Sequence, residues 1–190
     1  AGSRDRSIGV PYCSRVCCMY AIKQAMLLMG SLPLVDITVY YMDIRAFGKG
    51  FEQFYQNAKA MGIEFVKAKV AKITEDDNTN LTVRIEIMDE DGRIEERKHD
   101  MVVLSQGIVP DWDPSGIMSL KIANDGFTYC EAPQLSSSLT NQEGIFVAGV
   151  AAGPKDIPDS IVEAGAAAME ASIYIGKKEK NSLMTVTAKR

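Results

Sequence analysis

The sequence of 190 residues has one histidine, one tryptophan and only four cysteines. A single histidine leaves little room for a His-based catalytic triad or a His-rich metal site. No apolar run reaches the length of a membrane span, and the first residues do not resemble a signal peptide. The net charge of -4 argues against nucleic acid as a main partner. We therefore predict a cytoplasmic protein that neither spans a membrane nor binds nucleic acid.

No G-x-G-x-x-G fingerprint precedes the first predicted helix, so the usual dinucleotide-binding loop is missing from that position. This absence weighs against a plain NAD(P)H-dependent flavin reductase. The chain begins at Ala1 without an initiator methionine, and we interpret it as part of a longer protein. His99 lies in a polar run, where the pattern predicts a solvated side chain rather than a catalytic one.

Three of the four cysteines form a C-x3-C-C pattern at Cys13, Cys17 and Cys18. An amphipathic helix is predicted over 14–29 with Ser14 as its N-cap, so that Cys17 and Cys18 fall in the first turn. There the helix dipole and the uncapped N–H groups favour the thiolate, which is the form that binds metals. The spacing is compatible with a metal or cluster site. Buried free thiols, a zinc site and a strained disulfide remain alternatives.

The residue pattern after the first helix predicts an α/β fold. The predicted elements are a strand at 35–42, a helix at 51–61, a strand at 63–66, an antiparallel meander at 69–97 and a buried strand at 101–105. An order of helix, strand, helix and strand is typical of parallel strands joined by crossover helices. We therefore predict a Rossmann-like nucleotide-binding lobe with a parallel sheet and a small antiparallel meander.

Two single residues have weaker assignments. Asp43 follows the first predicted strand, where an acid can bind a ribose hydroxyl in dinucleotide-binding folds. Without the glycine fingerprint, a surface or structural role is the favoured interpretation. Cys130 stands alone in the irregular run 107–143 and is predicted to be structural.

The run GIFVAGVAAGPKDIPDS predicts a buried strand at 145–148, a glycine-rich turn and a helix that begins at 157–158. Gly149 and Gly153 allow the backbone to approach a ligand closely. The N-terminus of the helix offers N–H groups to an electron-rich oxygen. Small residues at 164–168 predict tight packing of this helix against a sheet or a cofactor. An ordinary strand–turn–helix is the alternative interpretation.

The runs GSRD, YCSRVCCMYAIKQA and GPKDIPDS resemble HdrA, the iron–sulfur flavoprotein of heterodisulfide reductase, a family with a thioredoxin-reductase-like FAD domain. The resemblance implies a [4Fe–4S] cluster bound by Cys13, Cys17 and Cys18, with a fourth cysteine just before Ala1, outside this sequence. It also implies an FAD site formed by Gly149, Val150, Gly153, Lys155, Asp156, Ile157 and Pro158. One departure is Val150, because the wider superfamily has an acid there in an A-G-D motif.

By this resemblance, 1–106 is a cluster-bearing, nucleotide-binding-like lobe, and 107–190 is the C-terminal part of an FAD-binding lobe with a charged tail. The implied function is electron transfer between flavin and iron–sulfur centres in an oxidoreductase subunit. Its implied partners are the other subunits of a heterodisulfide reductase-like complex. No catalytic side chain is assigned, and the isolated chain is expected to be inactive. A non-catalytic docking or structural lobe is the alternative.

Overall fold

The computed structural model describes residues 4–88, 92–131 and 133–187. These residues form two compact units. The first unit spans Cys17–Gln106, and the second combines the described residues before Cys17 with those from Gly107 onward.

The segment before Cys17 belongs to the second unit, whereas the sequence placed it in the first. Two contacts explain this difference. The buried Ser14 hydroxyl accepts a hydrogen bond of 2.8 Å from the amide of Ile108. The rings of Tyr12 and Phe127 meet edge to face with their centroids 5.4 Å apart. Both partners lie beyond residue 106, so the N-terminal segment is held by the C-terminal half of the chain.

The first unit has the predicted α/β architecture. Its elements are α1 (Cys17–Ser31), β1 (Thr38–Tyr41), α2 (Phe51–Ala60), β2 (Glu64–Glu75), β3 (Leu81–Ile87) and β4 (Ile94–His99). They form one sheet in the order β1-β2-β3-β4, in which β1 and β2 are parallel and the other neighbours are antiparallel. The predicted parallel strand pair and the predicted meander are therefore confirmed.

The long strand β2 joins what the sequence predicted as two strands. Its first residues pair with β1, beginning with Thr38 opposite Glu64, and its later residues pair with β3. A bulge between Val70 and Lys72 interrupts the second ladder. A bulge bends a strand and increases its twist, which lets one strand serve both halves of a curled sheet.

The curling brings side chains of the edge strand β4 to β1 and to the start of β2. Arg97 on β4 reaches Glu64 at 3.0 Å, and the Tyr40 hydroxyl lies 2.7 Å from Nε2 of His99. The prediction of a solvated His99 is therefore wrong. The polar run around His99 gave no sign of a tyrosine that lies 59 positions away in the chain.

Two apolar clusters stabilise the first unit. One joins the inner faces of α1 and α2, where Ile22 and Ala58 are fully buried, and Met19, Met26 and Met29 pack against it as the helical spacing predicts. The other lies under the curled sheet and consists of Ala68, Val83 and Ile85, with partly buried neighbours.

The predicted buried strand at 101–105 is not a strand. Val102 packs against the cluster beneath the sheet, but the side chains of Met101, Val103 and Leu104 are 63–74% exposed. Among the described residues no strand lies alongside this segment. Its β-prone residues therefore have no ladder to join.

The second unit is largely irregular before its last helix. It contains α3 (Ser115–Met118), a 3₁₀ turn at Gly149–Ala152 and α4 (Ile157–Thr187). The predicted strand at 145–148 is reduced to one isolated bridge between Leu139 and Phe146. The charged end of the chain, predicted to fray, is helical as far as Thr187.

The last helix does not pack as the sequence predicted. Of the small residues at 164–168, only Ala167 is partly buried and the others are exposed. The helix instead contacts the unit at separate points, including Tyr174 against Gly144 and Glu170 with the Ser136 hydroxyl at 2.9 Å. None of the helices within the described residues combines the length and apolar character needed to cross a membrane.

Candidate functional site

The predicted site residues are distributed over both units. Cys13 and the glycine-rich stretch lie in the second unit, and Cys17 and Cys18 lie in the first. All four cysteines of the chain are thiols. Within the described residues, no group of three or more histidine, cysteine or acidic side chains is arranged to hold a metal ion.

Cys13 lies in a tight turn that directs a backbone amide at its sulfur. The amide of Arg15 donates to Cys13 Sγ at 3.3 Å, and Arg15 has φ +63°, in the left-handed region. Ser14 does not cap α1 as predicted, because its hydroxyl accepts from Ile108 instead. An N–H···S hydrogen bond stabilises negative charge on sulfur, and therefore favours the thiolate over the thiol at this position.

Cys17 and Cys18 are the first two residues of α1, which confirms their predicted place in the first helical turn. Cys17 is buried, and its carbonyl accepts from the Ser105 hydroxyl at 3.3 Å. The Cys18 thiol points toward the backbone carbonyl of Asp43, with the sulfur 3.9 Å from the oxygen. The Asp43 carboxylate lies 3.4 Å from Nε of Arg45, so an ion pair occupies the group that was considered for a ribose contact.

The glycine-rich stretch forms a tight 3₁₀ turn with its backbone exposed to solvent. Gly149 and Gly153 have φ of +64° and +144°, values that favour glycine. A Cβ added to Gly153 would meet nothing within 4 Å, so there is open space beside the backbone at that point. The amide of Thr128 donates to the carbonyl of Ala151 at 3.0 Å and anchors the turn to the preceding irregular segment.

A buried ion pair closes this stretch. Lys155 Nζ lies 2.6 Å from Glu163 Oε2, and the two side chains are 8% and 19% exposed. The same carboxylate oxygen accepts from the amide of Gly149 at 2.9 Å. The structure therefore joins two of the predicted site residues through Glu163, a residue that the sequence interpretation missed. The signal was indirect: the turn carries Val150 where relatives carry an acid, and an acid follows on the helix.

The entrance of α4 is capped by its own chain. The Asp156 carboxylate accepts from the amide of Asp159 at 2.9 Å, and the Asp156 carbonyl accepts from the Ser160 hydroxyl at 2.8 Å. Pro158 has no N–H to donate. Of the first three residues of α4, only Ile157 therefore retains an amide for a ligand, fewer than the sequence suggested.

An ion pair links the Cys13 segment to the first turn of α4. The guanidinium of Arg15 contacts the carboxylate of Asp159, and both groups belong to the second unit. Arg15 thus donates its backbone amide to the sulfur of Cys13 and its side chain to the helix that follows the glycine-rich turn. One residue therefore connects the two stretches that the sequence singled out.

Cys130 is half-buried, and its sulfur lies 3.2 Å from the carbonyl oxygen of Ser137. Burial raises the pKa of the Cys130 thiol; the nearby Lys155 ammonium opposes this shift and the Glu163 carboxylate adds to it. A raised pKa keeps the group protonated and unreactive at neutral pH, in agreement with a structural role.

Comparison with known proteins found no matching family model. Curated relatives include the HdrA-type component of the H(2):CoB-CoM heterodisulfide,ferredoxin reductase of Methanothermobacter thermautotrophicus, 46% identical over 94% of this chain and 28% of that protein. The second HdrA-type iron–sulfur component of the CoB–CoM heterodisulfide reductase of Methanopyrus kandleri is 44% identical over the same shares. The corresponding component of the ferredoxin:CoB-CoM heterodisulfide reductase of Methanosarcina mazei is 38% identical over 94% of this chain and 23% of that protein.

The chain thus spans less than a third of the length of these relatives. Among solved structures, an atypical thioredoxin reductase from Desulfovibrio vulgaris Hildenborough aligns with 83% of this chain and 48% of its own, at 23% identity and a TM-score of 0.32. The sequence relationship confirms the resemblance that the cysteine and glycine motifs predicted.

Proposed function

Because the chain is homologous to one segment of HdrA, we propose that it belongs to an electron-transfer oxidoreductase subunit that uses FAD and a [4Fe–4S] cluster. The observation that carries this proposal is the link between Arg15 and Asp159, which ties the segment of Cys13 to the entrance of α4. Electron transfer between two centres requires them to be close and rigidly held, and this ion pair joins the two candidate stretches within one compact unit.

The glycine-rich stretch fits a flavin. Gly149 and Gly153 give it a backbone that side chains do not shield, and Ile157 retains an amide at the positive end of the α4 dipole. Val150, Lys155, Asp156 and Pro158 complete the proposed set, with Lys155 and Asp156 shaping the turn and the helix entrance. A bound flavin would accept and release one or two electrons, and a helix N-terminus near its carbonyl oxygen favours the reduced form.

The cysteine stretch supplies donors of the right chemistry for an iron–sulfur cluster. Thiolates are the usual ligands of such clusters. Cys17 and Cys18 lie at the positive end of the α1 dipole, and Cys13 accepts an amide hydrogen bond, so both environments favour thiolate. We propose these three as cluster ligands, with the fourth supplied by a residue outside this sequence.

The partners proposed for the complete protein are the other subunits of a heterodisulfide reductase-like complex, because the relatives are named as subunits of such enzymes. We expect the 190-residue chain by itself to hold cofactors without turnover.

A non-catalytic docking lobe is the second candidate. It is favoured by the apolar side chains that α4 exposes, among them Ile157, Ile161, Val162 and Met169, which are 63–76% exposed. Such a surface on a helix is typical of a protein interface.

Anaerobic reconstitution with iron, sulfide and FAD separates the two candidates. We expect the chain to acquire iron and sulfide in a four-to-four ratio and a flavin absorbance that remains after gel filtration. Cys13→Ser should lower the bound iron strongly, whereas Cys130→Ser, a matched control at the remaining cysteine, should retain it. A colourless, iron-free sample that also excludes FAD would refute electron transfer by this chain and favour docking.

A further inference from the structure

The carboxylate of Glu163 holds both ends of the glycine-rich turn. Glu163 lies in the second turn of α4, and its Oε2 accepts from the amide of Gly149 and from the ammonium of Lys155. These two partners are six positions apart and bracket the whole turn. The pair is buried, so water does not screen it and little surrounding solvent replaces either bond if it breaks.

We propose that Glu163 is the positioning residue of the flavin turn, fixing its backbone and cancelling the charge of Lys155 beside it. This inference rests on the proposed function, in which the turn binds flavin. The acid that the wider superfamily has in the turn is replaced here by Val150. Glu163 supplies a carboxylate to the same turn from the following helix, and directs it at the backbone and the lysine instead of outward to a ligand.

The ion pair has an electrostatic consequence for a flavin bound at this turn. With Glu163 ionised, the Lys155–Glu163 pair carries no net charge. A buried ion left without its partner keeps its full field in a medium of low dielectric constant. Removing only the carboxylate therefore places an unbalanced cation near the cofactor, which favours the reduced, more negative flavin. A merely structural ion pair would stabilise the fold without moving a reduction potential.

The first experiment uses the flavin-free 190-residue chain. Hydrogen exchange is measured on peptides covering 149–155 in the parent chain, in Glu163→Ala and in Glu179→Gln, an exposed glutamate of the same helix that serves as the control. Loss of a charge-assisted hydrogen bond should accelerate exchange in this peptide about tenfold in Glu163→Ala. Unchanged exchange in Glu163→Ala would overturn the inference whatever happens with flavin.

The second experiment adds FAD and measures affinity and reduction potential. We expect Glu163→Ala to bind FAD about tenfold more weakly than the parent chain and Glu179→Gln to bind it normally. Glu163→Gln, which retains an acceptor oxygen for Gly149, should shift the flavin potential upward. The double variant Lys155→Met/Glu163→Gln should return the potential toward that of the parent, because it removes both charges.

The outcomes of the two experiments are distinguishable. If the parent chain does not bind FAD while Glu163→Ala accelerates exchange, the proposed flavin site fails and the positioning of the turn by Glu163 stands. If the parent binds FAD and all variants match it in affinity and potential, the flavin site stands and the role of Glu163 is refuted.

Discussion

Gly126 is the position at which a single added methyl group should cost most for its size. It has φ +86°, and a Cβ built there would lie 2.6 Å from Cγ of Pro110. Two costs add in Gly126→Ala. The left-handed backbone conformation costs an L-residue about 1 kcal/mol. The overlap forces either the turn or the proline ring to move, and overpacking of this kind costs about 1–3 kcal/mol. We expect a loss of about 2–4 kcal/mol in the free energy of unfolding of the second unit.

Gly9→Ala is the matched control. Gly9 lies in the same unit with φ +79°, and a Cβ there would meet nothing within 4 Å. The backbone strain is therefore nearly the same in the two variants, and only Gly126→Ala has the clash. We expect Gly9→Ala to cost about 1 kcal/mol, so the difference between the variants isolates the contact with Pro110.

Urea unfolding followed by circular dichroism measures both losses, with the fluorescence of Trp112, the only tryptophan of the chain, reporting on the second unit. The same substitution should weaken FAD binding, because Thr128, two residues after Gly126, donates its amide to the glycine-rich turn. Equal losses for the two alanine variants would show that Pro110 does not confine this turn, and would refute the packing described here.

Three further predictions concern the charged groups and the thiols. A hydrogen bond from Thr38 is the main cause that lowers the pKa of Glu64, so the folded state gains stability above the unfolded pKa of about 4.3 and loses it as the pH falls. Thr38→Val should raise the pKa of Glu64 in an NMR titration and reduce that acid sensitivity. Because burial raises the pKa of Cys130, its alkylation at pH 8 should be slower in the folded chain than in urea, as followed by mass spectrometry; equal rates would contradict the burial. The pair of Arg15 and Asp159 is partly exposed, so a double-mutant cycle with Arg15→Gln and Asp159→Asn should give a coupling below about 1 kcal/mol that shrinks in high salt.

Local patterns in the sequence were sufficient for the parts of the fold that depend on neighbouring residues. The apolar face of α1, the place of Cys17 and Cys18 in its first turn and the alternating strands of the meander follow from periods of 3.6 and 2, which a short window contains. The positive φ of Gly149 follows in the same way from a glycine-rich run. The resemblance to HdrA was also evident from short runs, and the curated relatives confirm it.

The tertiary structure decided the features that depend on distant partners. Ser14 has the composition of an N-cap, but its hydroxyl serves Ile108, 94 positions later. His99 lies in a polar run and still finds Tyr40. The β-prone segment 101–105 has no described neighbour with which to form a ladder.

The candidate flavin turn divides in the same manner. The sequence by itself determined its glycines, its lysine and the helix that follows, because these residues are adjacent in the chain. Only the folded chain brings the Glu163 carboxylate to Gly149 and Lys155, and the Arg15 guanidinium to Asp159. Hydrogen bonds and ion pairs act over about 3 Å in space, whatever the separation of their partners in sequence, so a linear pattern supplies the groups and folding selects which of them meet.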